Sequence, residues 1–145
     1  MAGPDDTTRP NRDVPGSGPT KQFVRETLGC SCPDEVFESI RWDTLSVVGV
    51  DVLRGIIGEK LLVYLFPVGD VKQMGRSLPA LVKAGRDERD IGALNRFRLV
   101  LISDQPETLL GVATRLFADL SIVDDRMHLH VVDTETAAPI TGPVT

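Results

Sequence analysis

Apolar and polar positions switch between helical and strand periods along the chain, and the switches mark its elements. Phe23, Val24 and Leu28 fall on one face of a short helix ended by Gly29, since glycine reaches positive φ without a Cβ penalty. Val36, Phe37 and Ile40 share a face of a second helix. Pro33, Asp34 and Glu35 open it, proline suiting an early helical position and acids the positive end. Trp42, Leu45, Val47 and Val48 predict a strand of imperfect alternation from Arg41 to Val50, with Gly49 at its boundary. From about Ile56 to Phe66 a stronger strand follows. Its stretch Leu61-Leu62-Val63-Tyr64-Leu65-Phe66 is continuously apolar, which predicts cover on both faces.

Asp70 caps a predicted helix through Val71, Met74, Leu78, Leu81 and Val82, with Gly75 and Pro79 predicting a kink or split and Ser77 a second cap. Charged residues 86–90 read as a solvated loop before a strand at Leu99-Val100-Leu101-Ile102. Asp104 and Glu107 have the spacing of a capping box, and Leu109, Ala113, Leu116, Phe117 and Leu120 share one face of the helix behind it. The last strand, Met127 to Asp133, alternates Met127, Leu129 and Val131 against His128, His130 and Val132.

The order helix-helix-strand-strand-helix-strand-helix-strand predicts an α/β layered fold on a four-stranded mixed sheet. Its later strands are joined by parallel crossovers, and its first strand is an antiparallel edge. Residues 1–20 hold four prolines and three glycines with no aromatic residue, so they read as a disordered tail. Thr134 to Thr145, rich in proline and small residues, reads as a flexible tail. A single domain over 21–133 remains, long enough to bury a core without a staple.

Composition narrows the partners. The chain is 41% hydrophobic and 26% charged, as soluble globular domains are, and its net charge of −5 disfavours nucleic acid, which is bound through basic surface. The apolar runs are too short to span a bilayer and the N-terminus lacks the apolar stretch of a secretory signal, so the expectation is a cytoplasmic protein with no membrane partner.

Candidate chemistry centres on Cys30 and Cys32, the only cysteines. A Cys-x-Cys pair can close a strained disulfide, supply two soft metal ligands, or merely pack. Backbone N–H groups at the predicted helix start would stabilise a thiolate, while Asp34 and Glu35 oppose it. His128 and His130 point to one face of their strand, and with the cysteines they could form a Cys2His2 site for zinc or another thiophilic metal, although neither spacing is standard. Asp70, Ser103, Asp104, Asp133 and Glu135 gather at strand ends and could hold magnesium, but Asp70 and Asp104 already serve as caps. Arg86, Arg89, Arg96 and Arg98 suit an anion or an acidic partner, with Asp87, Glu88 and Asp90 available to neutralise them.

The expected function is that of a small accessory protein using Cys30 and Cys32 for thiol redox or metal handling, with another protein as partner. The alternative is a non-catalytic interaction module built on segment 86–98. Whether the chain is an enzyme stays open.

Overall fold

The computed structural model of the chain describes residues 17–47 and 49–141. Helix α1 (Ser17–Gln22) runs into a π turn (Phe23–Thr27), and a 3₁₀ turn (Asp34–Glu38) leads to the sheet. Strands β1 (Ile40–Val47), β2 (Val50–Ile57) and β3 (Leu61–Pro67) follow, then α2 (Val71–Ile91), β4 (Arg96–Ile102), α3 (Pro106–Asp119), β5 (Met127–Val132) and α4 (Thr134–Thr141). The five strands lie in chain order across one mixed sheet, β1 to β3 as an antiparallel meander and β3 to β5 parallel. The expected mixed α/β sheet with an antiparallel first edge is present, but it has five strands rather than four.

The extra strand is β2, hidden in sequence by two hairpins. Gly58 and Glu59 both take positive φ (63° and 55°), as primed hairpin turns require, and the glutamate gives no turn signal at that position. The run from Ile56 to Phe66 is therefore the end of β2, a turn and β3. Arg41 to Val50 likewise divides between β1 and the first residue of β2; Val48, read as a strand residue, lies outside the described residues.

Two apolar clusters sandwich the sheet. Leu62, Tyr64, Phe66, Phe97, Leu99 and Leu101 face α2 and α3. The alternate residues Leu61, Val63, Leu65, Val100 and Ile102 face a layer made by Phe23, Val24, Leu28, Phe37, Ala137 and Ile140. From Leu61 to Phe66 every residue of β3 is buried, as a strand covered on both sides must be.

Helix α2 is continuous through Pro79 and extends over the segment expected as a loop. A proline inside a helix costs roughly 3 kcal/mol. Met74, Leu78, Leu81 and Val82 are each at most 1% exposed, and burying such side chains stabilises by roughly 2 kcal/mol apiece, which offsets the proline. Asp70 caps this helix as expected, accepting the Gln73 N–H at 2.7 Å. The capping box of α3 is not formed: Gln105 is the N-cap, and the Asp104 carboxylate instead accepts the Thr134 hydroxyl at 3.1 Å. Leu109 and Ala113 are buried, whereas Leu116 is exposed at the far side of the expected face.

Both expected tails contribute to the fold. Thr20 is fully buried and its hydroxyl accepts the Trp42 indole N–H at 3.1 Å, tying α1 to β1. At the other end, α4 buries Ala137 and Ile140 against the sheet. Two well-placed apolar residues suffice to dock this short helix, although its composition is that of a tail. The remainder of both expected tails, residues 1–16 and 142–145, lies outside the described residues.

Candidate functional site

The cysteine loop is shaped by the end of the first helical segment. Leu28 N–H donates to the Phe23 carbonyl and Cys30 N–H to the Val24 carbonyl, each at 3.1 Å, and Gly29 between them has φ of 73°. This αL closure is the role expected of Gly29 and turns the chain sharply into Cys30. Arg25 then fixes the far side of the loop. Its Nε and Nη2 donate to the Cys32 carbonyl at 3.2 and 2.6 Å, Nη2 also meets Asp34 at 2.8 Å, and the guanidinium carbon stands 5.3 Å from the centre of the Phe37 ring. Lys21 also pairs with Asp34 at 2.8 Å, and Lys21 followed by Arg25 holds that carboxyl below its usual range. Asp34 is thus already neutralised by two cations.

Within this loop Cys30 and Cys32 are joined as a disulfide, with their Cα atoms 5.3 Å apart, inside the usual span for such a bond. Both are half-buried on the apolar cluster of their side of the sheet. Neither sits at the start of a full helix: Pro33 is the N-cap of a five-residue 3₁₀ turn and makes no side-chain cap. Of the three alternatives expected for the pair, the disulfide is the one present, and the helix expected behind it is only a short 3₁₀ turn.

The disulfide borders a cleft of about 200 Å³ lined by Cys30, Cys32, Pro33, Val36, Lys60, Leu61, Asn95, Arg96 and Arg98. Register explains why two arginines arrive there. Arg96, Arg98 and Val100 alternate onto one face of β4, and β5 pairs beside it with His128 opposite Arg98 and His130 opposite Val100. The arginines reach diagonally. Arg96 Nη1 lies 3.1 Å from His128 Nε2 and Arg98 Nη1 lies 2.9 Å from His130 Nε2. A guanidinium only donates, so each imidazole accepts through Nε2 and is neutral, with its proton on Nδ1. Burial first, then Arg98 and His128, push His130 down to about 4. His128 is lowered by burial, Arg98 and Arg96, opposed by Asp125. Burial and then Arg96 also lower Arg98, whose buried Nε–H has no hydrogen-bond partner among the described residues.

The sequence-predicted arginines separate onto two sides of the sheet. Arg89, only 2% exposed, is gripped by carboxylates: Nη1 and Nη2 meet the two Asp124 oxygens at 2.8 and 2.6 Å, and Nε and Nη2 meet Asp90 Oδ1 at 3.1 and 3.0 Å. Arg86 stands more openly on α2, 3.9 Å from Asp90. Segment 86–98 is therefore not one basic surface. The expected zinc set is not assembled either. The cysteines are bonded to one another, the histidine Nε2 atoms face arginines, and no group of three or more His, Cys, Asp or Glu side chains converges among the described residues.

A larger cleft of about 340 Å³ opens at the carboxyl ends of β3 and β4, between Gly69-Asp70 and Ser103-Asp104-Gln105. Its polar groups are occupied by the fold itself. Asp70 caps α2, the Ser103 hydroxyl accepts the Gln105 N–H at 3.0 Å and Asp104 takes the Thr134 hydroxyl; beyond the cleft, Asp133 accepts the Thr136 N–H at 2.7 Å. Asp70, Asp104 and Asp133, among the acids weighed for magnesium, thus serve as caps and tethers. Sequence reasoning missed Arg25 and Lys60, which reach the cysteine loop and its cleft through tertiary placement and carry no local motif. Compared with known proteins, the chain matches no family model, no curated protein and no solved structure.

Proposed function

We propose that the chain is a thiol-disulfide exchange protein whose reactive group is the Cys30–Cys32 pair, working as a small cytoplasmic accessory factor that cycles between disulfide and dithiol. The observation that carries this reading is a half-buried disulfide opening onto a cleft lined by Lys60, Arg96 and Arg98. The cations favour the thiolate that appears when the bond opens, and the carboxylate nearest in sequence, Asp34, is neutralised by Lys21 and Arg25. Exchange proceeds through attack of a thiolate on a disulfide sulfur, so an accessible bond with a stabilised leaving group is what the chemistry needs.

The core supports the same reading. Folding does not require this bond, because its loop spans only Cys30 to Cys32 and two apolar clusters hold the sheet on both sides. Metal handling is less well supported, since closure of the disulfide removes both thiolate ligands. The test is redox titration with dithiothreitol, read by alkylation mass shift of Cys30 and Cys32. One reversible two-electron transition with the fold retained is expected. A bond that no reductant opens in the folded protein, or cysteines that stay reduced in air, would end the proposal.

A further inference from the structure

Three cations converge on the disulfide cleft without a carboxylate to match them. Among the described residues the ion pairs join Lys21, Arg25, Arg54, Lys83, Arg86 and Arg89 to acids, and none engages Lys60, Arg96 or Arg98. Arg96 and Arg98 instead each spend one N–H on a neutral imidazole. Arg98 also keeps a buried Nε–H with no partner among the described residues. Buried donors are nearly always satisfied, and a guanidinium edge with free N–H groups matches the two oxygens of a carboxylate. In a chain of net charge −5, three such cations on the wall of one cleft concentrate positive charge locally. Asn95, also on the cleft wall, adds a neutral amide. The cleft's volume, about 200 Å³, falls below the usual range for drug-sized ligands and restricts the occupant to a molecule of a few heavy atoms.

We propose that the cleft binds a low-molecular-weight thiol bearing a carboxylate, with Arg96, Arg98 and Lys60 holding the acid while its sulfur meets the Cys30–Cys32 disulfide. This names the substrate class of the exchange reading and rests on it. The thiolate attacks one cysteine sulfur, the protein S–S bond breaks, and a mixed disulfide forms while the other cysteine leaves as a thiolate. A second molecule of the same thiol attacks the mixed disulfide and releases the small-molecule disulfide. Two substrate thiols lose two electrons between them, and the protein disulfide gains those electrons and two protons to become a dithiol.

The test compares three thiols on the folded full chain: 3-mercaptopropionate, neutral 2-mercaptoethanol and cationic cysteamine, with rates referred to the thiolate present. We expect 3-mercaptopropionate to open the bond at least about tenfold faster than 2-mercaptoethanol, with saturation, and cysteamine to be slowest. Arg98→Gln, and separately the exposed-site variants Arg96→Gln and Lys60→Gln, should shrink that preference, read as the ratio of the 3-mercaptopropionate to the 2-mercaptoethanol rate in the same variant, so that any slowing from lost stabilisation of the leaving thiolate cancels. High salt should shrink it too. Equal rates for the anionic and neutral thiols, or a preference untouched in all three variants, overturn the inference while leaving thiol exchange intact. A second arm reads the acid site without exchange, using 3-(methylthio)propionate and the NMR signals of the His128 and His130 rings. Saturable shifts that vanish in Arg96→Gln support the site even if no thiol opens the bond, which would sink only the exchange reading. Rings that do not respond overturn the inference.

Discussion

Arg89 and Arg98 belong to the same charged stretch of sequence, yet the sheet separates their roles. Arg89, on the helix side, is 2% exposed and bound by the carboxylates of Asp90 and Asp124, which raise its affinity for its proton. Arg98, on the opposite face, meets a neutral histidine and keeps one buried donor without a partner. Charge alone does not tell a clamp from a binding group. What faces the charge does: a guanidinium already matched by two acids has nothing left to offer a ligand, and one matched by an imidazole does.

The contrast breaks most decisively in stability. Arg89→Ala should cost about 3 kcal/mol in urea denaturation, because it leaves Asp124 without its partner in a partly buried site. Arg98→Met should move stability by no more than about 1 kcal/mol, since it also removes an unsatisfied donor. Similar losses in the two variants would show that Arg98 is as structural as Arg89. A smaller effect comes from the bond itself. Cys30→Ser should lose about 1 to 2 kcal/mol from the short closed loop and abolish the response of the urea midpoint to dithiothreitol.

On the helix side, the Tyr64 hydroxyl donates to Glu88 at 2.7 Å, and Glu88 also accepts from Arg54 at 2.8 Å. Tyr64→Phe should therefore cost about 1 kcal/mol by the same denaturation measurement, with thiol exchange unchanged.

Acid sharpens the comparison along a second axis, pH rather than denaturant. An unfolded imidazole binds its proton near 6.5, whereas folded His130 does so only near 4. Between those values the unfolded chain holds more protons, so this contribution is complete above about 6.5 and is lost as pH falls toward 4. Asp124 behaves in a separate window. Arg89 holds it down to about 2, so its contribution is present above 3.8 and fades only as pH falls toward 2. Stability measured against pH in His130→Gln should be flatter between 6.5 and 4 than in the natural chain, and parallel curves would remove His130 from the account. The smallest change belongs to the large cleft at the carboxyl ends: Asp104→Asn should stay within about 0.5 kcal/mol and leave the exchange rate unaltered.

Periodicity made much of the architecture legible. The continuous apolar run of β3, the Asp70 cap of α2 and the αL closure at Gly29 each follow from side chains acting on their own neighbours. Readings failed where a distant contact outweighed the local signal. The α2 core face carries the helix through Pro79, a non-glycine residue at φ of 55° helps make the second hairpin, and docking against the sheet orders a short C-terminal helix of tail-like composition.

For the candidate site, sequence alone indicated that Cys30 and Cys32 lie near enough to bond and that His128 and His130 share one face of a strand, because a spacing of two residues fixes a common face; the strand expected at Leu99 to Ile102 did not include Arg96 and Arg98, which the structure adds to β4. Only the tertiary structure decided that the two strands are parallel neighbours, that their shared face carries arginine against histidine, and that Lys60 and the cysteine loop close over its edge. Strand pairing sets residues 30 positions apart opposite one another through backbone hydrogen bonds, which carry no side-chain pattern to be read in advance, and the arginines then reach diagonally to histidines 32 positions away.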